Sequence, residues 1–100
     1  VISNNQSYGI VSGAFSRAEG VMKETGEYAG VALEGIDPVK IADGFGMDGA
    51  RVSEESELTG ALDKGLQVAV KEQRPYLLDV RLPLGLPDGG RGAAPFQLSR

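Results

Sequence analysis

The stretch from Leu58 to Leu82 constrains the fold more than any other part of the chain. Leu58, Ala61, Leu62, Leu66, Ala69 and Val70 recur at helical spacing, so the reading is an amphipathic helix with that face inward. Arg74-Pro75 stops the pattern, because proline disfavours helix in the residue before it. Tyr76-Leu77-Leu78-Asp79-Val80-Arg81-Leu82 follows as a β run, apolar and nearly continuous at first, as in a strand buried on both faces. A helix delivering the chain into such a strand is half of a crossover unit.

The upstream sequence supplies more of the same. Val1-Ile2-Ser3 is β-prone, and Asn4-Asn5-Gln6-Ser7 breaks it with turn chemistry. From Tyr8 to about Lys23, Ile10, Val11, Ala14, Phe15 and Ala18 keep helical spacing, weakened by Gly9, Gly13 and Gly20. Residues 24–36 read as an irregular crossing. Asp37-Pro38 is a helix start, with Asp as N-cap and Pro at the first helical position, and Gly44 and Gly46 supply the stop. Gly49-Ala50-Arg51-Val52 reads as a strand, and Ser53 as the cap of the helix that follows. The order strand, helix, helix, strand, helix, strand predicts an α/β fold with parallel strands and right-handed crossovers. Seven of the 18 residues from 83 to 100 are Gly or Pro, so that part reads as an extended C-terminal tail anchored by Leu84, Leu86, Phe96 and Leu98.

Composition narrows the chemistry. The 100 residues include no Cys and no His, so the chain alone supplies no disulfide, no thiolate zinc site and no imidazole base. A metal would be held through oxygen, which suits magnesium, calcium or manganese. The net charge of −4 argues against a nucleic-acid backbone as partner. Apolar runs such as Tyr28 to Leu33 reach only about six residues, far short of the ~20 residues of a membrane span. No signal peptide is visible, and the expectation is a soluble, cytoplasmic protein with no membrane partner.

In parallel α/β sheets, ligands bind outside the carboxyl ends of strands. Here the first strand runs into Asn4-Asn5-Gln6-Ser7-Tyr8-Gly9 and then a helix, whose first turn offers free N–H groups to an anion. Asn5 adds an amide oxygen, so these residues admit a Mg²⁺-diphosphate site or simply a turn.

The segment Val-Ile-Ser-Asn-Asn-Gln-Ser-Tyr-Gly at residues 1–9 resembles the second half of the thiamine diphosphate motif, which opens with Gly-Asp-Gly and closes with Asn-Asn. The resemblance continues through Gly35-Ile36-Asp37-Pro38-Val39-Lys40-Ile41-Ala42-Asp43-Gly44-Phe45-Gly46, through Glu57-Leu58 and Ala61-Leu62, and to Arg74-Pro75-Tyr76-Leu77-Leu78-Asp79-Val80. Over residues 1–82 the chain is similar to the C-terminal cofactor domain of the benzoylformate decarboxylase, pyruvate decarboxylase and acetolactate synthase superfamily. That implies a three-layer parallel sheet with flanking helices, as the distal part of a thiamine diphosphate-binding domain, with residues 83–100 as a separate tail.

The resemblance also implies roles. Asn5 matches the side-chain ligand of Mg²⁺, and Ser7 the residue whose backbone carbonyl binds the same ion. Tyr8, Gly9 and Ile10 match the stretch around the diphosphate, and Asn4 a residue that supports the turn. The family's Gly-Asp-Gly aspartate and its activating glutamate have no counterpart, so the chain reads as a fragment of a longer parent. Val11 stands where pyruvate decarboxylase-like members carry an acid. With Ile10, Ala14 and Phe15 it would form an apolar wall of the substrate pocket, or else pack on the sheet, the reading preferred for Phe15.

Other residues have plainer explanations. Asp37 fits an N-cap better than a ligand. Glu54, Glu55 and Glu57 complement a helix dipole rather than bind metal. Asp79, a charge in a central strand, is expected to pair with Lys or Arg at the sheet end. Gly89-Gly90-Arg91-Gly92 lacks the strand and helix of a phosphate loop. The expected function is part of a thiamine diphosphate- and Mg-dependent 2-oxo acid decarboxylase, benzoylformate decarboxylase-like, working as a homo-oligomer (dimer or tetramer). The alternatives are an acetolactate synthase-like carboligase and a non-catalytic α/β interaction module.

Overall fold

The computed structural model describes residues 1–83 and the strand Gln97–Leu98. The chain forms two compact units. One is built from Val1–Asn4 and Ile36–Leu82, the other on Asn5–Gly35.

The first unit is a three-stranded parallel sheet with helices beside it, the α/β architecture expected. Its strands are β1 (Ile2–Asn4), β3 (Asp48–Val52) and β4 (Tyr76–Arg81), in the order β1-β4-β3. Asp79 stands opposite Ile2 on one side and Arg51 on the other, so the continuous run at 76–82 is the central strand. Leu78 and Asp79, adjacent and therefore on opposite faces, are both buried.

Helix α3 (Pro38–Gly44) starts as its sequence predicts. Asp37 Oδ1 accepts from the N–H groups of Val39 (3.1 Å) and Lys40 (3.2 Å), with Pro38 in the first helical turn. Helix α4 (Leu58–Leu66) differs from expectation in two ways. Ser53 is not its cap. Glu54 and Glu57 form a capping box over a short 3₁₀ turn, Glu55–Glu57, and Glu57 Oε2 accepts from the N–H groups of Ser53 and Glu54, both at 3.1 Å.

The buried face of α4 is also rotated from the leucine stripe. Leu66 is 60% exposed and Val70 is exposed too, whereas Val68, in the π-turn Gln67–Lys71 that continues the helix, is 1% exposed. The inward positions are Leu58, Ala61, Gly65 and Val68, again at helical spacing. Gly65 is the reason. A Cβ there would lie 3.2 Å from the Tyr76 ring and 3.8 Å from Leu78 Cδ1, so the helix touches β4 where it has no side chain.

The carboxyl end of the sheet is tied by charge. Asp79 takes hydrogen bonds from Asn4 Nδ2 (2.7 Å) and Arg51 Nε (3.1 Å), and Arg81 Nε lies 3.2 Å away. Arg51 Nη2 also reaches Asp37 Oδ1 at 2.8 Å. The pairing expected of Asp79 is therefore present.

In the second unit the helix expected from Tyr8 to Lys23 is two helices, α1 (Gly9–Arg17) and α2 (Val21–Thr25). Ala18 turns to extended backbone and Gly20 adopts φ 148°, which ends the first helix. Residues 24–36 are more ordered than a plain crossing. They contain β2 (Glu27–Tyr28), which pairs in parallel with β5 (Gln97–Leu98), and Tyr28 and Val31 are buried. Of the expected tail anchors, Leu84, Leu86 and Phe96 lie outside the described residues, and Leu98 stands opposite Tyr28. Among the described residues no helix is long and apolar enough to cross a membrane.

Candidate functional site

The candidate site is a short loop held from two directions. Within the loop, Asn5 Oδ1 accepts from the Ser7 N–H at 3.2 Å, a side-chain turn that asparagine forms readily. Gln6, between them, takes the left-handed conformation at φ 55°, which is uncommon for a residue with a Cβ. From outside the loop, the segment 31–33 of the same unit clamps it. Leu33 N–H donates to Gln6 O (2.7 Å), Tyr8 N–H donates to Val31 O (2.8 Å), and Ser7 bridges antiparallel to Ala32.

Asn5, Ser7, Tyr8, Gly9, Ile10 and Val11 line one cavity of about 420 Å³. These six are the residues singled out in the sequence, and the loop and first turn of α1 bring them together. Tyr8 is exposed, Ile10 is 89% exposed and Val11 is 43% exposed, so the apolar side chains stand open rather than packed. Phe15 is not in this cavity. It is exposed and lines a smaller depression with Ala18 to Lys23, so the packed position preferred for it is not what it occupies.

Gly9 makes room for the loop. A Cβ on Gly9 would lie 3.0 Å from Asn5 Nδ2 and 3.9 Å from Ser7 Oγ. Any larger residue would press on the amide that carries the predicted ligand oxygen. The first turn of α1 has neither a side-chain cap nor an acidic residue of its own to answer its N–H groups. Ser12, wholly buried in the next turn, satisfies its hydroxyl on Gly9 O at 3.0 Å.

The donor set fits a hard cation beside an anion. An amide oxygen and a backbone carbonyl are magnesium-type ligands, and a helix N-terminus suits phosphate. Among the described residues Ser7 Oγ has no hydrogen-bond partner, a buried polar group of a lining residue. Among the described residues no three acidic side chains gather into a metal-holding group. Asn4, matched to a turn-supporting residue, ends β1 and donates its amide to Asp79. Sequence reasoning did not find the clamp at 31–33, since nothing in that irregular stretch marks a pairing partner. The close approach at Gly9 had one signal, the glycine itself at the first position of a helix.

Comparison with curated proteins and with solved structures gives no match. The sequence profile described as "Thiamine pyrophosphate enzyme, C-terminal TPP binding domain" matches residues 1–80, which include the loop, α3, α4 and most of β4. Thiamine pyrophosphate is thiamine diphosphate under its other name, and the resemblance to the benzoylformate decarboxylase and acetolactate synthase superfamily fits this profile. The chain belongs to the family of C-terminal TPP-binding domains of thiamine pyrophosphate enzymes.

Proposed function

We propose that this chain is the cofactor-anchoring part of a Mg²⁺- and thiamine diphosphate-dependent 2-oxo acid decarboxylase of the benzoylformate decarboxylase-like kind. The observation that supports it is the convergence of Asn5, Ser7, Tyr8, Gly9, Ile10 and Val11 on one cavity within a chain of this family. Asn5 Oδ1 and the Ser7 carbonyl would hold Mg²⁺, and the loop-to-helix backbone from Tyr8 to Ile10 would hold the diphosphate. When bound, thiamine diphosphate supplies the electron sink that lets a 2-oxo acid lose carbon dioxide.

The residues of this chain bind and orient rather than move protons. Asn5 is preset by its bond to the Ser7 N–H, which occupies one lone pair of Oδ1 and leaves the other for a cation. Val11 and Ile10 offer an apolar wall that excludes water from the neighbourhood of the substrate. Such a wall equally serves an acetolactate synthase-like carboligase, in which a second carbonyl must compete with water. A homo-oligomer is part of the proposal, since Tyr8, Ile10 and Val11 are exposed together around the cavity, an apolar group that a partner surface would cover.

Titration calorimetry of the full chain with thiamine diphosphate, with and without Mg²⁺, tests the reading. Saturable, Mg²⁺-dependent binding is expected, and Asn5→Ala raises the Mg²⁺ requirement roughly tenfold. No Mg²⁺-dependent binding would leave a non-catalytic interaction module as the better description.

A further inference from the structure

Ser7 has a second functional group that the reading above does not use. Its carbonyl is assigned to the cation, and its hydroxyl has no assignment. Ser7 is 7% exposed, and Oγ is buried with no hydrogen-bond partner among the described residues. Folded chains seldom leave such a group unpaired. The neighbouring hydroxyls show the usual solution. Ser12 Oγ donates to Gly9 O (3.0 Å) and Ser16 Oγ to Gly13 O (2.9 Å), each three residues back along the helix. Ser7 precedes the helix and has no such carbonyl behind it.

The place of the hydroxyl is specific. It lies 3.9 Å from where a Gly9 Cβ would be, and Asn5 Nδ2 lies 3.0 Å from the same point. The hydroxyl and the Asn5 amide thus flank the small space that Gly9 leaves in the cavity lining. The uncapped first turn of the nine-residue helix α1 opens from the same residues. The backbone donors of an uncapped helix start, a neutral amide and the Ser7 hydroxyl just behind the wall lie together, and among the described residues no carboxylate lines the cavity. This is the lining of an anion site with one donor to spare.

We propose that the Ser7 hydroxyl donates a hydrogen bond directly to a diphosphate oxygen in this cavity. The inference rests on the reading that the cavity takes a diphosphate, and adds a donor to it. In the rotamer observed, Oγ is closed to solvent, so engagement requires χ1 to turn to another staggered well. That rotation breaks no hydrogen bond, because none is made. The unpaired state is what makes the hydroxyl available.

The two possible roles of the hydroxyl move stability and binding differently. If it is only a packing defect, Ser7→Ala removes an unsatisfied group and leaves diphosphate affinity unchanged. If it is a ligand donor, Ser7→Ala keeps or raises the melting temperature while diphosphate affinity falls roughly tenfold, as for a lost bond to a charged group. The experiment uses the full chain with Mg²⁺ and two probes, inorganic pyrophosphate and thiamine diphosphate, read by calorimetry and thermal unfolding. Because alanine removes bulk as well as the hydroxyl, Ser7→Thr and Ser7→Val are compared as a pair of equal shape that differ in the hydroxyl. Thr binding both probes about tenfold more tightly than Val supports the proposal. Equal binding by Thr and Val overturns it while leaving the diphosphate site standing. A difference seen with thiamine diphosphate but not pyrophosphate also overturns it, since the hydroxyl would then meet the thiamine moiety. Wild-type chain that binds neither probe overturns the site reading and this inference together.

Discussion

Asn4 Nδ2 donates a 2.7 Å hydrogen bond to Asp79 Oδ1, joining the last residue of β1 to a wholly buried carboxylate 75 positions later. The other oxygen, Oδ2, receives Arg51 Nε from β3, and Arg51 continues to the cap of α3 at Asp37. One carboxylate therefore connects all three strands and a helix start. Asp79→Ala leaves Arg51, Arg81 and Asn4 facing a hole; because Arg51 is 39% exposed and keeps Asp37, the expected cost is about 2–3 kcal/mol, less than for a fully buried pair. Urea unfolding measures it. A loss below about 1 kcal/mol would mean that solvent already screens the network.

Acid should weaken the same region, with a defined sign. Asp37 lies below its ordinary value of 3.8, first because the Lys40 N–H bonds its carboxylate and then because Arg51 does. Glu57 lies below its ordinary 4.5, through the N–H groups of Ser53 and Glu54. A carboxyl lowered on folding contributes its full stability above the unfolded value and loses it as pH falls through the folded value. Stability should be level above about pH 5 in respect of these groups and decline below it. Asp37→Asn and Glu57→Gln should each flatten the decline, and a chemical denaturation series from pH 6 to pH 2.5 reads the slope.

Gly49 is packed against backbone. A Cβ there would lie 2.9 Å from Leu77 O and 3.3 Å from Leu77 Cβ, in the register pair of β3 and β4. Neither strand can yield without lengthening ladder bonds. Gly49→Ala is expected to cost about 1–3 kcal/mol, although alanine restricts the unfolded chain more than glycine does. An increase in stability would contradict the close strand spacing.

The rotated face of α4 predicts a reversal of intuition. Val68→Ala empties a fully buried site and should cost about 1–3 kcal/mol, whereas Leu66→Ala, at a larger but 60% exposed residue, should stay within about 0.5 kcal/mol. Equal costs would place the leucine stripe inward after all.

Gly9→Ala separates folding from binding at the candidate site. Alanine favours helix over glycine, so the melting temperature should hold or rise. The added methyl, 3.0 Å from Asn5 Nδ2, pushes the amide off its turn, and on the proposed function Mg²⁺ affinity should fall roughly tenfold. A calcium or magnesium titration that shows no change would remove Asn5 from the ligand set.

What the sequence discloses depends on distance along the chain. Asp37-Pro38 declares its cap because donor and acceptor are two residues apart, and the site is legible because its six residues are nearly consecutive. Central strand β4 is legible because burial on both faces writes itself into one apolar run. The errors have other sources. Leu62, Leu66 and Val70 drew the helix face toward hydrophobicity, while steric access at Gly65 decided it. The long helix from Tyr8 broke at Ala18 to Gly20, where backbone freedom outweighed apolar period. The clamp of 31–33 on the loop and the Asn4–Asp79 bond leave no local trace, because each partner is unremarkable alone.

Among the described residues, strands β1 and β3 pair with β4 and not with each other, and β4 is the last of the three in the chain. Within the sheet described, then, the pairings of both early strands wait until Tyr76–Arg81 has left the ribosome. Its arrival must close a loop nearly as long as the sheet-forming chain, which makes nucleation slow. Until that moment the two edges that β4 comes to occupy are open to the wrong partners.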